Sequence, residues 1–206
     1  MHLTLLEFIY NYCESIGIDE SHGLKHSINC INWVYRLTQY ELVTTDELKM
    51  AVYAAALHDM CDKKYTIPEI ASTHIHTWLL SQQWSIEMAN TLISIINNMS
   101  YSLLKQRANG GEPIFPNYGK WQRSYHLARH ADLLDAYLVG RCFIYTQHIE
   151  PTISDPDCWK RVEELFHIRV FNYVSDGWIS LPLAIQYAFY LEIKAKECFL
   201  TKTFIY

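Results

Sequence analysis

Hydrophobic residues recur along most of this chain at intervals of three and four, the spacing of one face of an α-helix. The first such stripe lies in a helix predicted over residues 3–16, which Gly17 ends, and consists of Leu5, Leu6, Ile9, Cys13 and Ile16. β-Branched residues do not alternate with period two over any useful length. The pattern therefore predicts an all-α fold, a single compact helical bundle.

Capping signals place the other helices. Thr44-Thr45-Asp46-Glu47 is a capping-box pattern, Pro68 suits a first helical turn, and Ser85 suits an N-cap. Asp155-Pro156 and Leu181-Pro182 open two further helices. The predicted helices after the first cover about 21–40, 45–60, 68–80, from 85 onward, 122–148, 155–177 and 182–200.

The segment from about 100 to 120 differs from the rest in its density of turn-forming residues. It contains Gly110-Gly111, Pro113, Pro116 and Asn117-Tyr118-Gly119, which predicts a long loop. Long loops within compact domains often carry function. Basic residues flank it, which favours either a lid over an anionic ligand or a solvated charged loop: Lys105, Arg107, Lys120 and Arg123.

Composition and charge narrow the class of protein. The 206 residues are 50% hydrophobic, enough for one domain over 1–206 with a substantial core. A formal net charge of -5 disfavours sequence-independent nucleic-acid binding, although a local basic pocket for one phosphate remains compatible. The six cysteines are scattered, the first residues lack a signal-peptide pattern, and no apolar run reaches the roughly 20 residues of a membrane span. We expect a cytoplasmic protein with reduced thiols and no membrane partner.

A His-Asp pair stands at the end of a helix that looks buried. Ala54-Ala55-Ala56-Leu57 leads into His58-Asp59, and a polar run follows. Small apolar residues let such a helix pack closely, and a charged pair at its inner end is costly to bury unless a cation neutralises it. The alternative is an exposed helix end with an incidental His-Asp pair. Taken alone, the segment favours that alternative.

Two other segments change that balance. His26 lies near the start of the second predicted helix, while Asp132 and Asp135 share one face of an otherwise apolar helix. Acids inside a helix of that kind need a partner, and a metal ion is a natural one. Imidazole and carboxylate donors from three helices form a mixed set that suits Mn, Mg, Fe, Ni, Co or Zn.

The order of these residues resembles the H…HD…D signature of the HD superfamily of metal-dependent phosphohydrolases. The flanking sequences "SHGLKH", "AALHDMCDKKY" and "ADLLDAY" are similar to the motifs of its small stand-alone hydrolases. The resemblance covers about residues 19–145. The resemblance implies a helical HD domain closed by the C-terminal helices. It also implies four metal ligands: His26, His58, Asp59 and Asp132.

The resemblance also bears on the number of metal ions. Related hydrolases often show His-Ser-x-Ser where this chain has Met99-Ser100-Tyr101-Ser102. His74 and His76 do not face the same way on a helix, so they are poor substitutes. We therefore expect one divalent metal, and the departure counts against a di-iron oxygenase.

Further residues are predicted to act beside the metal. Catalytic roles are expected for Asp59, for Asp62 as a general acid, base or water ligand, and for Lys63 as a phosphate-binding cation. Substrate-binding roles are expected for Lys64, Arg129, Lys105 and His22. For each of these side chains a solvated or packing role is the alternative, and Asp135 is expected to support Asp132 or to pair with Arg129.

The leading functional hypothesis is hydrolysis of a phosphate ester or anhydride in a small metabolite, with a nucleotide as the favoured class. A non-catalytic HD domain that binds a nucleotide or a protein partner for regulation is the main alternative, and a di-iron HD oxygenase is the weaker one. Intact ligand positions argue against loss of catalysis. A small phosphorylated substrate is the expected partner, and homodimerisation stays open.

Overall fold

The computed structural model describes residues 2–19, 21–40 and 42–204, and in them the regular structure is helical throughout. The prediction of an all-α fold is confirmed. The α-helices are α1 (His2–Ile16), α2 (Leu24–Leu37), α3 (Thr45–Leu57), α4 (Pro68–Ser81), α5 (Ile86–Ile96), α6 (Tyr101–Ala108), α7 (Gln122–Asp135), α8 (Val139–Ile149), α9 (Asp155–Ile168) and α10 (Pro182–Thr201). Short 3-10 turns occupy His58–Cys61, Gly119–Trp121 and Val170–Asn172.

Helix α3 forms the centre of the bundle. Every residue from Met50 to Leu57 is buried, and a helix that is apolar all round belongs inside a protein. Its alanines allow α2 and α7 to approach closely, and hydrogen bonds fix both contacts. Ser27 Oγ of α2 donates to the Ala56 carbonyl at 2.9 Å, and Ser124 Oγ of α7 donates to the Glu47 carbonyl at 2.8 Å.

The two ends of α3 follow from local chemistry. Thr44 and Glu47 form the predicted capping box, with the Glu47 amide donating to Thr44 Oγ1 and the Thr44 amide donating to Glu47 Oε2. The other end departs from the prediction, because the α-helix stops at Leu57 and tightens into the 3-10 turn that carries His58 and Asp59. That turn places Asp59 beside His58 at the inner end of the helix.

The structure divides one predicted helix into two separate helices. The segment expected to run unbroken from 122 to 148 ends its first part at Asp135 and starts again at Val139. In a continuous helix residue 141 would lie about 9 Å along the axis from residue 135. The turn instead brings Arg141 back, so that its Nη1 lies 3.8 Å from Asp135 Oδ2 and its Nε donates to the Ser21 carbonyl at 2.6 Å.

Two further predictions of element boundaries were wrong. The segment 100–120 is not all loop: α6 forms because Tyr101, Leu104 and Ala108 give it a buried face, and it ends at Asn109 in the left-handed region with φ of 47°. Helix α9 stops at Ile168 rather than near residue 177. There the backbone leaves the helical region at Arg169, whose Nε donates to the Tyr173 hydroxyl at 2.7 Å.

Other expectations from the sequence concern thiols and membranes. All six cysteines are free, and five of them are buried. Within the described residues, no helix combines the length and the apolar composition that a membrane crossing requires.

Candidate metal centre

Side chains from α2, from the 3-10 turn after α3 and from α7 meet at one point in the bundle. His26 Nε2 lies 3.3 Å from Asp59 Oδ2, 3.5 Å from Asp132 Oδ1 and 3.4 Å from His58 Nε2. His58 Nε2 lies 3.4 Å from Asp59 Oδ1 and 3.3 Å from Asp132 Oδ1. We call these four residues the His-Asp cluster.

Local structure positions each member of the cluster. His26 lies in the first turn of α2, His58 and Asp59 lie in the turn after α3, and Asp132 lies in the last turn of α7. The two histidines are almost fully buried, whereas the Asp59 and Asp132 side chains keep 14% and 18% of their surface exposed. The cluster is therefore open to solvent on its carboxylate side.

Hydrogen bonds at the far side of each imidazole define the nitrogen that faces the cluster. His58 Nδ1 lies 2.9 Å from the Ala55 carbonyl, which only accepts, so this nitrogen carries a proton. His26 Nδ1 lies 2.6 Å from Asp135 Oδ2, a carboxylate oxygen that is fully buried. In neutral rings both Nε2 atoms then present lone pairs to each other and to two carboxylates. Such an arrangement requires a proton or a cation among the four atoms.

A second layer of charge surrounds the cluster. The Arg141 guanidinium lies 3.9 Å from Asp59 Oδ2, 3.9 Å from Asp132 Oδ1 and 3.8 Å from Asp135 Oδ2. Burial works against the charged form of Arg141, but the three carboxylates outweigh it and raise its pKa above the usual value. Asp135 is thereby held between a histidine and an arginine, which stabilises a buried carboxylate.

The same charges shift the acids and bases of the cluster in opposite directions. Burial opposes the charge on His58, yet Asp59 and Asp132 outweigh it and raise the His58 pKa. Burial and Arg141 oppose protonation of His26, but hydrogen bonds to Asp132 and Asp135 contribute to a raised pKa there as well. Burial tends to raise the pKa values of Asp59 and Asp132, but the two histidines outweigh it and hold both values well below the usual range. The carboxylates are thus ionised at neutral pH.

These donors fit a divalent metal ion. Ligand atoms about 2.0–2.2 Å from one ion lie roughly 3–3.5 Å apart, which matches the separations in the cluster. Asp59 Oδ2 is buried and has no hydrogen-bond partner, and both histidine Nδ1 atoms have the outer partners typical of metal ligands. Cys30 Sγ lies 3.6 Å from His26 Nε2, and His26, Cys30 and Asp132 also offer donor atoms within 4.8 Å of one another. Burial raises the pKa of the free Cys30 thiol to about 12.

A hydrogen-bonded group lies in the loop before α2. Asp19 accepts hydrogen bonds from the Ser21 hydroxyl, from the Ser21 amide at 2.8 Å and from the Tyr65 hydroxyl. His22 Nδ1 lies 2.7 Å from Ser21 Oγ, and its ring meets the Tyr145 ring edge to face with centroids 4.8 Å apart. Burial opposes ionisation of Asp19, but the bonds from His22, Ser21 and Tyr65 lower its pKa.

Lys64 and Asp62 lie close to this group. Lys64 Nζ lies 5.1 Å from the Tyr145 ring centroid and 3.3 Å from Asp62 Oδ2. Lys63 is exposed. Of the predicted binding residues, His22 and Lys64 therefore share Tyr145 as a neighbour, and Asp62 is engaged with Lys64.

Two other predicted substrate residues contact different parts of the bundle. Arg129 is 1% exposed, donates to the Trp178 carbonyl and stacks over the Phe115 ring with 4.2 Å to its centroid. Lys105 lies over the Tyr101 ring at 5.7 Å. The positions of Arg129 and Lys105 therefore do not support a contact with a substrate phosphate at the cluster. The segment that contains Phe115 packs on Arg129 instead.

Sequence reasoning missed Arg141 and the partner of Asp135. Asp135 was expected to support Asp132 or pair with Arg129, whereas its carboxylate bonds His26 and faces Arg141. The only signal for Arg141 was its charge in an apolar stretch near the acids. Its role depends on the turn between α7 and α8, which the sequence pattern did not reveal.

The fold and the cluster together define an all-helical protein in which buried histidine, carboxylate and thiol groups lie close enough together to hold a metal ion. No family model, no curated protein and no solved structure matches this chain.

Proposed function

We propose that this chain is a metal-dependent phosphohydrolase of the HD superfamily, acting on a small phosphorylated metabolite, with a nucleotide as the favoured class. The proposal rests on one observation above all: carboxylate oxygens of Asp59 and Asp132 each lie within 3.5 Å of both His26 Nε2 and His58 Nε2, in residues that follow the order of the H…HD…D signature. The Asp135 and Arg141 contacts behind them support it, because they orient and balance the donors.

His26, His58, Asp59 and Asp132 would hold the cation. A divalent ion supplies Lewis-acid polarisation of a phosphoryl oxygen and acidifies water. Asp59 Oδ2, which is buried and has no hydrogen-bond partner, would face the cation. The attacking water gives up its proton to solvent as the new P–O bond forms. The P–O bond to the leaving group breaks with its electron pair on the leaving oxygen, which takes a proton from solvent.

The positive side chains near the cluster bind the substrate phosphate. Arg141 lies behind two of the carboxylates, and its fixed charge offsets the negative charge that builds on the phosphoryl oxygens. Lys64 is partly exposed beside Tyr145 and brings a second cation to the solvent-facing side. His22 is held by Ser21 and oriented for contact with a substrate there. A cytoplasmic location belongs to the same proposal.

Activity of the metal-loaded protein on a panel of nucleotides and sugar phosphates tests this function. Phosphate release should depend on an added divalent cation and should fall by at least about 100-fold in His58→Gln and Asp132→Asn, which remove one donor each. His148→Gln is a matched control, because His148 is an exposed histidine of α8.

The outcomes separate the alternatives. Equal phosphate release by wild type, His58→Gln and Asp132→Asn would mean that the cluster does not carry the reaction. Metal binding with no turnover of any substrate would favour the non-catalytic HD domain. Two irons per chain by metal analysis would favour the oxygenase. Circular dichroism establishes that each variant is folded.

A further inference from the structure

A cavity of about 570 Å³ lies between α2 and α10, and it borders the His-Asp cluster. Its volume falls within the range of small-molecule sites in proteins. Of the four cluster residues, His26 lines the cavity, whereas His58, Asp59 and Asp132 do not. Arg141 and the buried Asp135 also line it. The cavity is therefore a neighbouring space that shares His26 with the cluster and contacts Arg141 behind it.

One wall of the cavity is a polar stripe of α2. Lys25, Asn29, Asn32 and Arg36 follow one another at intervals of four, three and four, so they share one helical face. A polar face on a surface helix is ordinary when it points to open solvent. This stripe instead lines a concave space with two amides and two cations.

The charges around the cavity are strongly unequal. Four basic side chains line it: Lys25, Arg36, Arg141 and Lys194. The one carboxylate in the lining is Asp135, which is fully buried and already contacts His26 and Arg141. Two of these cations also face carboxylates: Arg141 lies within 3.9 Å of Asp59 and Asp132, and Lys194 Nζ lies 3.0 Å from Glu197 Oε2. Within the described part of the chain, the cavity thus favours an anion.

The other wall is aromatic and apolar. Trp33 is buried and meets the Tyr187 ring edge to face with centroids 5.2 Å apart, and the Arg36 guanidinium lies over the same indole at 5.0 Å from its centroid. Tyr190 lies one turn further along α10 and is 57% exposed. Rings of this kind offer flat surfaces on which a heterocycle can stack.

We propose that the cavity between α2 and α10 is a second ligand site, which binds an anion that carries an aromatic ring, a mononucleotide. The basic side chains take the phosphate, the Trp33–Tyr187 pair and Tyr190 contact the base, and Asn29 and Asn32 bond its polar edge. An amide offers both a donor and an acceptor, which is what the edge of a nucleobase requires.

Arg141 places this ligand in electrostatic contact with the His-Asp cluster. The guanidinium lines the cavity and lies within 3.9 Å of Asp59, Asp132 and Asp135. A phosphate beside Arg141 offsets its charge, and that charge repels any cation held by the cluster. Occupation of the cavity should therefore strengthen cation binding, and by linkage the cation should strengthen occupation of the cavity.

Calorimetric titration with AMP, adenosine and inorganic phosphate tests the site. The titrations use the full chain and the His58→Gln variant, which lacks one donor of the cluster and whose cavity lining is intact. Both proteins are kept in EDTA without divalent cations, so that coupling to a cation does not enter the comparison. AMP should bind both proteins with dissociation constants within about twofold, and adenosine or phosphate alone should bind at least about tenfold more weakly. The result is independent of whether the protein hydrolyses phosphate esters.

Substitutions in the wall locate the bound AMP. Asn32→Trp fills the mouth of the cavity from an exposed position of α2, and Arg36→Gln removes one cation. Each should weaken AMP binding by about tenfold or more. Ile28→Trp and Lys160→Gln are matched controls, because neither residue lines the cavity and both are exposed. These controls should bind AMP like the wild type.

Three results would overturn the proposal. The wild type shows no AMP binding; AMP binding survives Asn32→Trp and Arg36→Gln; or AMP binding disappears in His58→Gln, which would assign the nucleotide to the cluster. Loss of phosphate release in His58→Gln with unchanged AMP binding would support both sites as separate entities.

Discussion

Asp135→Asn is the substitution that best tests how the His-Asp cluster is supported. Asp135 is fully buried, its Oδ2 lies 2.6 Å from His26 Nδ1, and it is one of three carboxylates around Arg141. Asparagine keeps the shape of the side chain and removes its charge. Two effects follow: His26 becomes a poorer donor at Nε2, and Arg141 loses part of its charge balance.

Both effects weaken cation binding. Loss of a carboxylate that orients a histidine ligand lowers metal affinity by about 10- to 100-fold, or roughly 1.4–2.8 kcal/mol. The excess positive charge of Arg141, within 3.9 Å of Asp59 and Asp132, acts in the same direction. We therefore expect the upper part of that range for Asp135→Asn.

Competition with a chelator of known affinity for Mn or Zn measures the effect directly. Asp176→Asn is the matched control, since Asp176 is exposed and lies outside the cluster. Metal affinity of Asp135→Asn within twofold of the wild type, in a protein with unchanged circular dichroism, would refute the role assigned to the Asp135 carboxylate.

Three further predictions concern stability, each measured by urea unfolding. Burial and Arg129 lower the pKa of His126 to about 4, so His126 stays neutral in the folded state. Stability present above pH 6.5 should be lost as the pH falls toward 4, by about 2 kcal/mol after allowance for partial exposure; the same loss in His126→Gln would contradict this. Thr44→Ala removes the capping hydroxyl of α3 and should cost about 1 kcal/mol, and an unchanged midpoint would count against the cap. Ser27→Ala leaves the buried Ala56 carbonyl without its side-chain donor and should cost about 1–2 kcal/mol, whereas no loss would show that this bond adds nothing to α2–α3 packing.

The sequence pattern was sufficient for features that depend on local chemistry. The capping box at Thr44 and the proline starts at Pro68 and Pro182 are encoded within a few residues, and these helices begin where predicted. The convergence of His26 with Asp132 came from a resemblance between motifs. Periodicity alone gives no distance between residues 106 positions apart.

The turn between α7 and α8 shows where local reasoning fails. No proline marks it, Gly140 follows it, and residues 122–148 read as one amphipathic helix. The break is a tertiary effect, since it buries Asp135 against His26 and returns Arg141 to the acids. The same error hid the α2–α10 cavity, whose lining includes Leu138, Val139 and Arg141.

Arg141 gives the centre of this protein an internal counter-ion. Together with one proton on each of the two imidazoles, whose pKa values are raised, it balances the charge of Asp59, Asp132 and Asp135. Folding therefore does not require a cation, and in the proposed function cation binding would be an exchange in which protons leave the two imidazoles as one dication enters. Mild acidification should strip the ion and leave the bundle intact, so that loaded and unloaded protein interconvert without unfolding.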